Sequence, residues 1–211
     1  MTSEEFATHV DQVVAAVENL EGRKERHLIA IAGPPASGKS TLAENVQQRL
    51  EQNGTPCGLV PMDGFHLDND ILRQRGLLAR KGAPETFDVE GFGALVALLR
   101  HEDDVSIPLF NRVGDCVDQD AGSIVAAQRH VLVEGNYLFL NRPGWRALNA
   151  FWSFKVFLAP PSKELERRLI ERWIDHGLDQ NAAEKRATEN DLVNANLVLE
   201  HTDCSTMDLI F

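Results

Sequence analysis

Residues 28–41 read Leu28-Ile29-Ala30-Ile31-Ala32-Gly33-Pro34-Pro35-Ala36-Ser37-Gly38-Lys39-Ser40-Thr41. The spacing Gly-x-x-x-x-Gly-Lys-Ser is filled by Gly33, Gly38, Lys39 and Ser40, the pattern of a phosphate-binding loop. Glycines let the backbone curl so that successive N–H groups point at phosphate oxygens. Lys39 has the reach for β- and γ-phosphates, and a hydroxyl at Ser40 can ligate a magnesium ion. The flanks agree with the loop. The apolar run 28–32 predicts a buried strand before it, and Leu42, Ala43, Val46 and Leu50 recur at helical spacing after it. Phosphates on this loop, from Gly33 through Thr41, then meet a helix N-terminus. The stretch implies binding of a nucleoside triphosphate.

Working outward, further short apolar runs at 57–62, 130–133, 154–158 and 195–199 alternate with helical patterns. Continuously apolar strands separated by helices predict an α/β fold, a parallel sheet covered on both faces. One helix carries Phe92, Leu95, Val96 and Leu99 on a face, and 105–110 reads as extended. Ser162 is placed to cap a helix with Leu165, Leu169 and Trp173, and Asn181 with Glu184 forms another capping pattern. Thr2 with Glu5 predicts a capping box on a first helix bearing Val10, Val13, Val14 and Val17. Nothing divides the 211 residues, so a single domain is expected, with a polar insert over 64–126 and a lid helix region over 162–192.

A net charge of −11 argues against a nucleic-acid footprint and an anionic membrane surface. No apolar run approaches the roughly 18 residues of a membrane span. The amphipathic, acidic start is not a signal peptide. Three widely spaced cysteines, Cys57, Cys116 and Cys204, suit free thiols in a reducing cytoplasm. A homodimer is left open.

In parallel sheets chemistry collects at the carboxyl ends of strands. Asp63 ends the second apolar run and Glu134 the third. Asp63 can take a proton from an attacking hydroxyl, or form a turn before Gly64. Glu134 can organise magnesium beside Ser40. Glu85 and Asp88 lie in the loop 81–88, where they can bind a polyhydroxylated compound, although Asp88 also suits the N-cap of the following helix. Arg168 and Arg172 are four apart and can close over phosphates, or pair with Glu164 and Glu171 at the surface. His66 and Arg112 can touch substrate from the insert. A pocket lined by Asp63, His66, Glu85 and Asp88 favours a neutral polyol. It repels an anion unless Arg112 turns inward.

Gly33-Pro34-Pro35-Ala36-Ser37-Gly38-Lys39-Ser40-Thr41, Met62-Asp63-Gly64-Phe65-His66, Gly82-Ala83-Pro84-Glu85-Thr86-Phe87-Asp88 and Val133-Glu134-Gly135-Asn136-Tyr137 occur in an order that resembles the phosphoribulokinase/uridine kinase family of P-loop kinases. That family also includes bacterial pantothenate kinases. The likeness covers 28–199. It implies a P-loop NTPase three-layer α/β/α fold with a five-stranded sheet of order 2-3-1-4-5. It implies ATP and Mg²⁺ at Lys39 and Ser40, and an acid/base at Asp63. Asp88 falls where an acid touches the acceptor, Glu134 after the third strand, and Arg168 and Arg172 in the lid. The implied partner is a small-molecule hydroxyl acceptor. The chain departs from uridine kinases after the acid, with Gly64-Phe65-His66 nearer the pantothenate kinase pattern, and is much shorter than those enzymes. It looks most like small bacterial proteins labelled as kinases of fructose transport systems. The expected activity is transfer of the ATP γ-phosphate to a hydroxyl of a sugar-like compound, with a nucleoside or pantothenate as the alternative acceptor. A nucleotide-switched regulator or GTPase-type metallochaperone is the rival from another class. Asp88-Val89-Glu90-Gly91 fits its D-x-x-G element, but the guanine-reading N-K-x-D and a Cys/His metal cluster are absent.

Overall fold

A computed structural model describes residues 2–20 and 25–211. Strands β1 (His27–Ala32), β2 (Cys57–Pro61), β5 (His130–Gly135), β6 (Phe154–Phe157) and β7 (Leu209–Ile210) form one parallel sheet. Its spatial order is β2-β5-β1-β6-β7, which is 2-3-1-4-5 when these five are counted along the chain. The remaining pair, β3 (Val105–Asn111) and β4 (Cys116–Ile124), makes a separate antiparallel ribbon. The helices are α1 (Ser3–Glu18), α2 (Lys39–Gln52), α3 (Asn69–Gln74), α4 (Val89–His101), α5 (Ser162–Asp175), α6 (Gln180–Arg186) and α7 (Leu192–Glu200).

Side chains alternate across the pleat, so an entirely apolar strand must be covered twice. In β1, Leu28, Ala30 and Ala32 join one core with Val131 and Val133, which α4 closes with Phe92, Val96 and Leu99. Ile29 and Ile31 join the other core with Leu132 and Val156, closed by α1 and α2 through Val13, Val17, Leu42 and Val46. Each fully buried side chain of this size contributes roughly 1.5–3 kcal/mol. Thr2 and Glu5 form the expected capping box at the start of α1.

Three expectations are corrected. The run 195–199 is helical, within α7, and the fifth strand is Leu209–Ile210 beside β6. A short apolar run has no period that separates strand from helix. Burial here falls on Asn194, Ala195 and Val198, a helical spacing. The N-cap of α6 is Asp179, which accepts from the Ala182 N–H at 2.9 Å, rather than Asn181. Ser162 is already the first residue of α5, and Pro161 is its cap. No helix among the described residues is long and apolar enough to cross a membrane.

Candidate active site

The phosphate loop joins β1 to α2. Two of its residues, Ala36 (φ +61°) and Gly38 (φ +95°), are left-handed, the alternation that turns successive N–H groups to one side. Ala36 holds this conformation without a glycine's freedom, at a cost on the order of 1 kcal/mol. At Gly33 a Cβ would sit 2.7 Å from the Leu158 carbonyl oxygen, so the loop root admits no side chain. Gly38 caps α2 without a side chain, which leaves the first-turn N–H groups open to an anion.

Pro35, Ala36, Gly38, Lys39, Ser40 and Thr41 line a cavity of about 820 Å³ at the carboxyl ends of β1, β2 and β5. Gly33, Pro34 and Ser37 are buried behind them. No hydrogen bond or ion pair among the described residues holds the Lys39 ammonium. Burial lowers its pKa, while Glu134 and Asp63 act in the other direction. The Ser37 hydroxyl is buried without a partner. An unpaired cation beside an open N–H cradle fits a phosphate chain.

The Ser40 hydroxyl donates to Glu134 Oε2 over 3.0 Å. Glu134 is buried at the end of β5, where desolvation pushes its carboxyl upward and Lys39 pulls it back. Two hard oxygen donors, with no cluster of three or more metal-ligating side chains among the described residues, suit Mg²⁺. That ion is usually held by one or two protein groups, substrate phosphates and water.

Asp63 lies in a 3₁₀ turn (Met62–Phe65) at the end of β2, and its side chain faces the same cavity. Two glycines set the acids. A Cβ on Gly64 would stand 2.2 Å from the Pro108 carbonyl oxygen of β3, and one on Gly135 would stand 2.5 Å from the Met62 Cβ. Arg112, at the end of the ribbon strand β3, reaches Asp63 Oδ2 at 3.5 Å. His66 also lines the cavity. Its Nδ1 is 2.8 Å from the Asp63 carbonyl oxygen, and its ring packs on Phe87 and Phe110 with centroids at 4.1 and 4.7 Å. Burial lowers the His66 pKa and keeps the ring neutral, so Nδ1–H donates and Nε2 remains an acceptor.

Arg168 and Arg172, expected together in a lid, take different places. Arg168 donates to the Ala36 and Ser37 carbonyls at 3.3 and 3.2 Å and is braced by Glu164 at 2.8 Å, so it docks α5 on the loop. Arg172 lines the cavity and approaches the buried Asp191 at 3.4 Å. Asp88 does not line the cavity. It caps α4, accepting from the Gly91 N–H at 2.9 Å. Glu85 is exposed on a 3₁₀ turn and also lies outside the lining. The acidic lining expected from the loop 81–88 therefore does not form.

Other residues take those places. Lys81 enters the cavity held by Asp115 at 2.7 Å and by Asn69 Oδ1 at 2.8 Å. Trp173, which reads as part of an apolar stripe, lines the cavity from α5. Its indole N–H donates to Asp191 at 2.6 Å, and Arg172 and Arg186 approach its ring at 5.4 and 5.2 Å. Asn136, after Glu134-Gly135, lines the cavity with a buried unpartnered Oδ1. The motif Val-Glu-Gly-Asn-Tyr contained that residue without marking its role.

No family model matches the chain. Among curated proteins it is 34% identical over 205 residues to the uncharacterized protein YggC of Escherichia coli K12, covering 90% of this chain and 84% of the relative. It is 33% identical over 194 residues to the "putative uridine kinase C227.14" of Schizosaccharomyces pombe, covering 87% and 82%. A crystal structure from Silicibacter sp. TM1040, described as a "putative fructose transport system kinase", superposes with a TM-score of 0.90 at 44% identity, covering 100% of this chain and 99% of that one. The chain belongs to the phosphoribulokinase/uridine kinase family of P-loop kinases. It is an ATP-dependent kinase, and its acceptor is a small molecule.

Proposed function

We propose that the chain transfers the γ-phosphate of Mg-ATP to a hydroxyl of a small polar metabolite of the sugar or sugar-like class. One observation carries this reading. Lys39, the Ser40–Glu134 pair and Asp63 converge on one cavity from three different strand ends. Phosphoryl transfer needs positioning and charge compensation more than covalent help.

In this reading the N–H groups of 33–41 and Lys39 bind the triphosphate. Ser40 and Glu134 hold Mg²⁺, which when bound offsets charge on the phosphates. Asp63 accepts the proton as the acceptor oxygen bonds to the γ-phosphorus and the bond to the β–γ bridging oxygen breaks, releasing ADP. Arg172 compensates charge from the lid, and Arg168 positions the loop. The region 64–126 serves as the acceptor-binding insert and 162–192 as the lid of a single domain.

The polar wall supports a polyhydroxylated acceptor: His66 Nε2, Asn136 and Asp63 all offer hydrogen-bonding atoms. The name of the Silicibacter relative agrees with that class. The aromatic residues weigh against a nucleoside. Phe87 and Phe110 already pack on His66, Phe110 also carries the Lys81 ammonium 5.0 Å from its centroid, and the Trp173 ring on the α5 side carries Arg172 and Arg186.

The test is acceptor-dependent ADP release from Mg-ATP across sugars, sugar acids, sugar phosphates, nucleosides, pantothenate and glycerate, with Lys39→Ala as control. The reading expects turnover with one polyhydroxylated class and none in the variant. Turnover that survives Lys39→Ala, or no acceptor-dependent ADP at all, overturns it.

A further inference from the structure

The chain carries 32 acids against 21 lysines and arginines, yet the cavity inverts that balance. Among the described residues its lining holds six cations, Lys39, Arg73, Lys81, Arg112, Arg172 and Arg186. It holds four acids, Asp63, Asp115, Glu134 and Asp191. A cationic cleft in an anionic protein concentrates anions. Nucleotide phosphates account for Lys39 and for the lid arginines beside Trp173. They do not account for Arg112, which belongs to the insert and, among the described residues, makes no hydrogen bond or ion pair with the phosphate loop or with α5.

Arg112 is loosely held. Its side chain is 71% exposed, and among the described residues its one ion pair is with Asp63 Oδ2 at 3.5 Å. Lys81, by contrast, is 13% exposed and fixed by Asp115 and Asn69. The resting partner of Arg112 is therefore the carboxylate that the kinase reading makes the proton acceptor. While the guanidinium stays there, it occupies an oxygen that an incoming hydroxyl needs. Removing it into solvent would leave the pair broken. Giving it a second anion would not, because a guanidinium binds carboxylates and phosphates in equivalent two-pronged fashion.

We propose that the acceptor carries an anionic group, a carboxylate or a phosphate, near its reacting hydroxyl, and that Arg112 exchanges Asp63 for that group as the acceptor binds. One ion pair replaces another, and the freed Asp63 carboxylate faces the hydroxyl. The inference rests on the kinase reading and narrows its acceptor from sugar-like compounds in general to sugar acids, sugar phosphates or shorter hydroxy acids. It departs from the neutral polyol expected from the sequence, whose premise was a lining by Asp63, His66, Glu85 and Asp88, of which Glu85 and Asp88 lie outside the cavity.

The experiment titrates the full chain, saturated with Mg²⁺ and a non-hydrolysable ATP analogue so that the phosphate loop is filled. Two matched series serve as probes in calorimetry: glycerol, glycerate and glycerol phosphate; and sorbitol, gluconate and sorbitol phosphate. A charged member should bind at least about tenfold more tightly than its neutral counterpart. Arg112→Gln should abolish that advantage and Arg112→Lys retain part of it, both with unchanged melting temperature. The carboxylate and phosphate arms identify which anion is read. Equal or tighter binding of the neutral members overturns the inference, as does anion binding that Arg112→Gln leaves intact, or no anion binding at millimolar concentration. A neutral sugar phosphorylated in the ADP screen sinks it while the kinase reading stands. A screen in which nothing yields ADP falls on the kinase reading, and the calorimetric arms still decide this one.

Discussion

Ser40 follows the central strand β1 and Glu134 stands near the end of its neighbour β5; the two are 94 residues apart in sequence and meet in a 3.0 Å hydrogen bond. The first turn of α2 and the end of β5 are thereby joined at the point where a cation would sit between protein and phosphates. Glu134→Gln keeps the shape and a hydrogen-bonding oxygen but removes the charge. The expected result is a raised Mg²⁺ requirement, with the apparent magnesium affinity in turnover assays weakened by about tenfold or more, and little change in thermal stability. A magnesium titration curve that superposes on wild type removes Glu134 from the metal site.

Asp63→Asn preserves size and loses the proton-accepting carboxylate. Turnover on the true acceptor should fall by about 10²- to 10⁴-fold, with nucleotide affinity retained. Steady-state kinetics beside calorimetric ATP binding separate the two effects. Near wild-type kcat would make Asp63 a turn residue.

Gly64→Ala tests how the acid is placed. The added methyl must displace either the 3₁₀ turn or the Pro108 carbonyl oxygen that stands 2.2 Å from the built Cβ. Destabilisation of about 1–3 kcal/mol is expected in urea unfolding. A drop in kcat larger than that in nucleotide affinity should accompany it, because Asp63 moves with the turn. A variant that folds and turns over normally would show that β3 yields without cost.

His130 begins β5 with both ring nitrogens unpartnered and His27 stacked on it at 5.4 Å. Burial, His27 and Arg129 together hold its pKa below the ordinary 6.5. The unfolded chain therefore takes up this proton first on acidification, so stability must rise with pH in this range. The contribution is complete above 6.5 and is lost as pH falls from there through the depressed folded value. Urea midpoints measured on either side of that pH should differ less in His130→Gln than in wild type. An unchanged pH slope in the variant assigns the dependence to other groups.

Much of this architecture was readable because the signals were local. The loop 33–41, its flanking strand and helix, and the two acids closing β2 and β5 each declare themselves within a dozen residues. Asp88 was legible in both of its readings, and the cap on Gly91 is the one the structure adopts. What failed depended on distance. The run 195–199 lacked a period, so only packing could assign it to α7. Lys81, Asn69 and Asp115 meet through contacts 34 and 46 residues apart, which no window along the chain can register. Trp173 at an apolar helical position reads as core, and its cavity role depends on Asp191, 18 residues later across a π-helical turn (Ala187–Asp191).

Arg168 gives the lid and the loop a common fate. Its guanidinium is the clasp between α5 and the carbonyls of Ala36 and Ser37, the first of which already sits in a left-handed backbone. Any displacement of α5 from the loop breaks those two hydrogen bonds, so the position of the helix and the geometry of the loop are linked. By thermodynamic reciprocity, a ligand that favours this loop geometry would favour the docked helix by the same factor. A weakened clasp would then be read in nucleotide affinity, although Arg168 itself lies on a helix outside the loop.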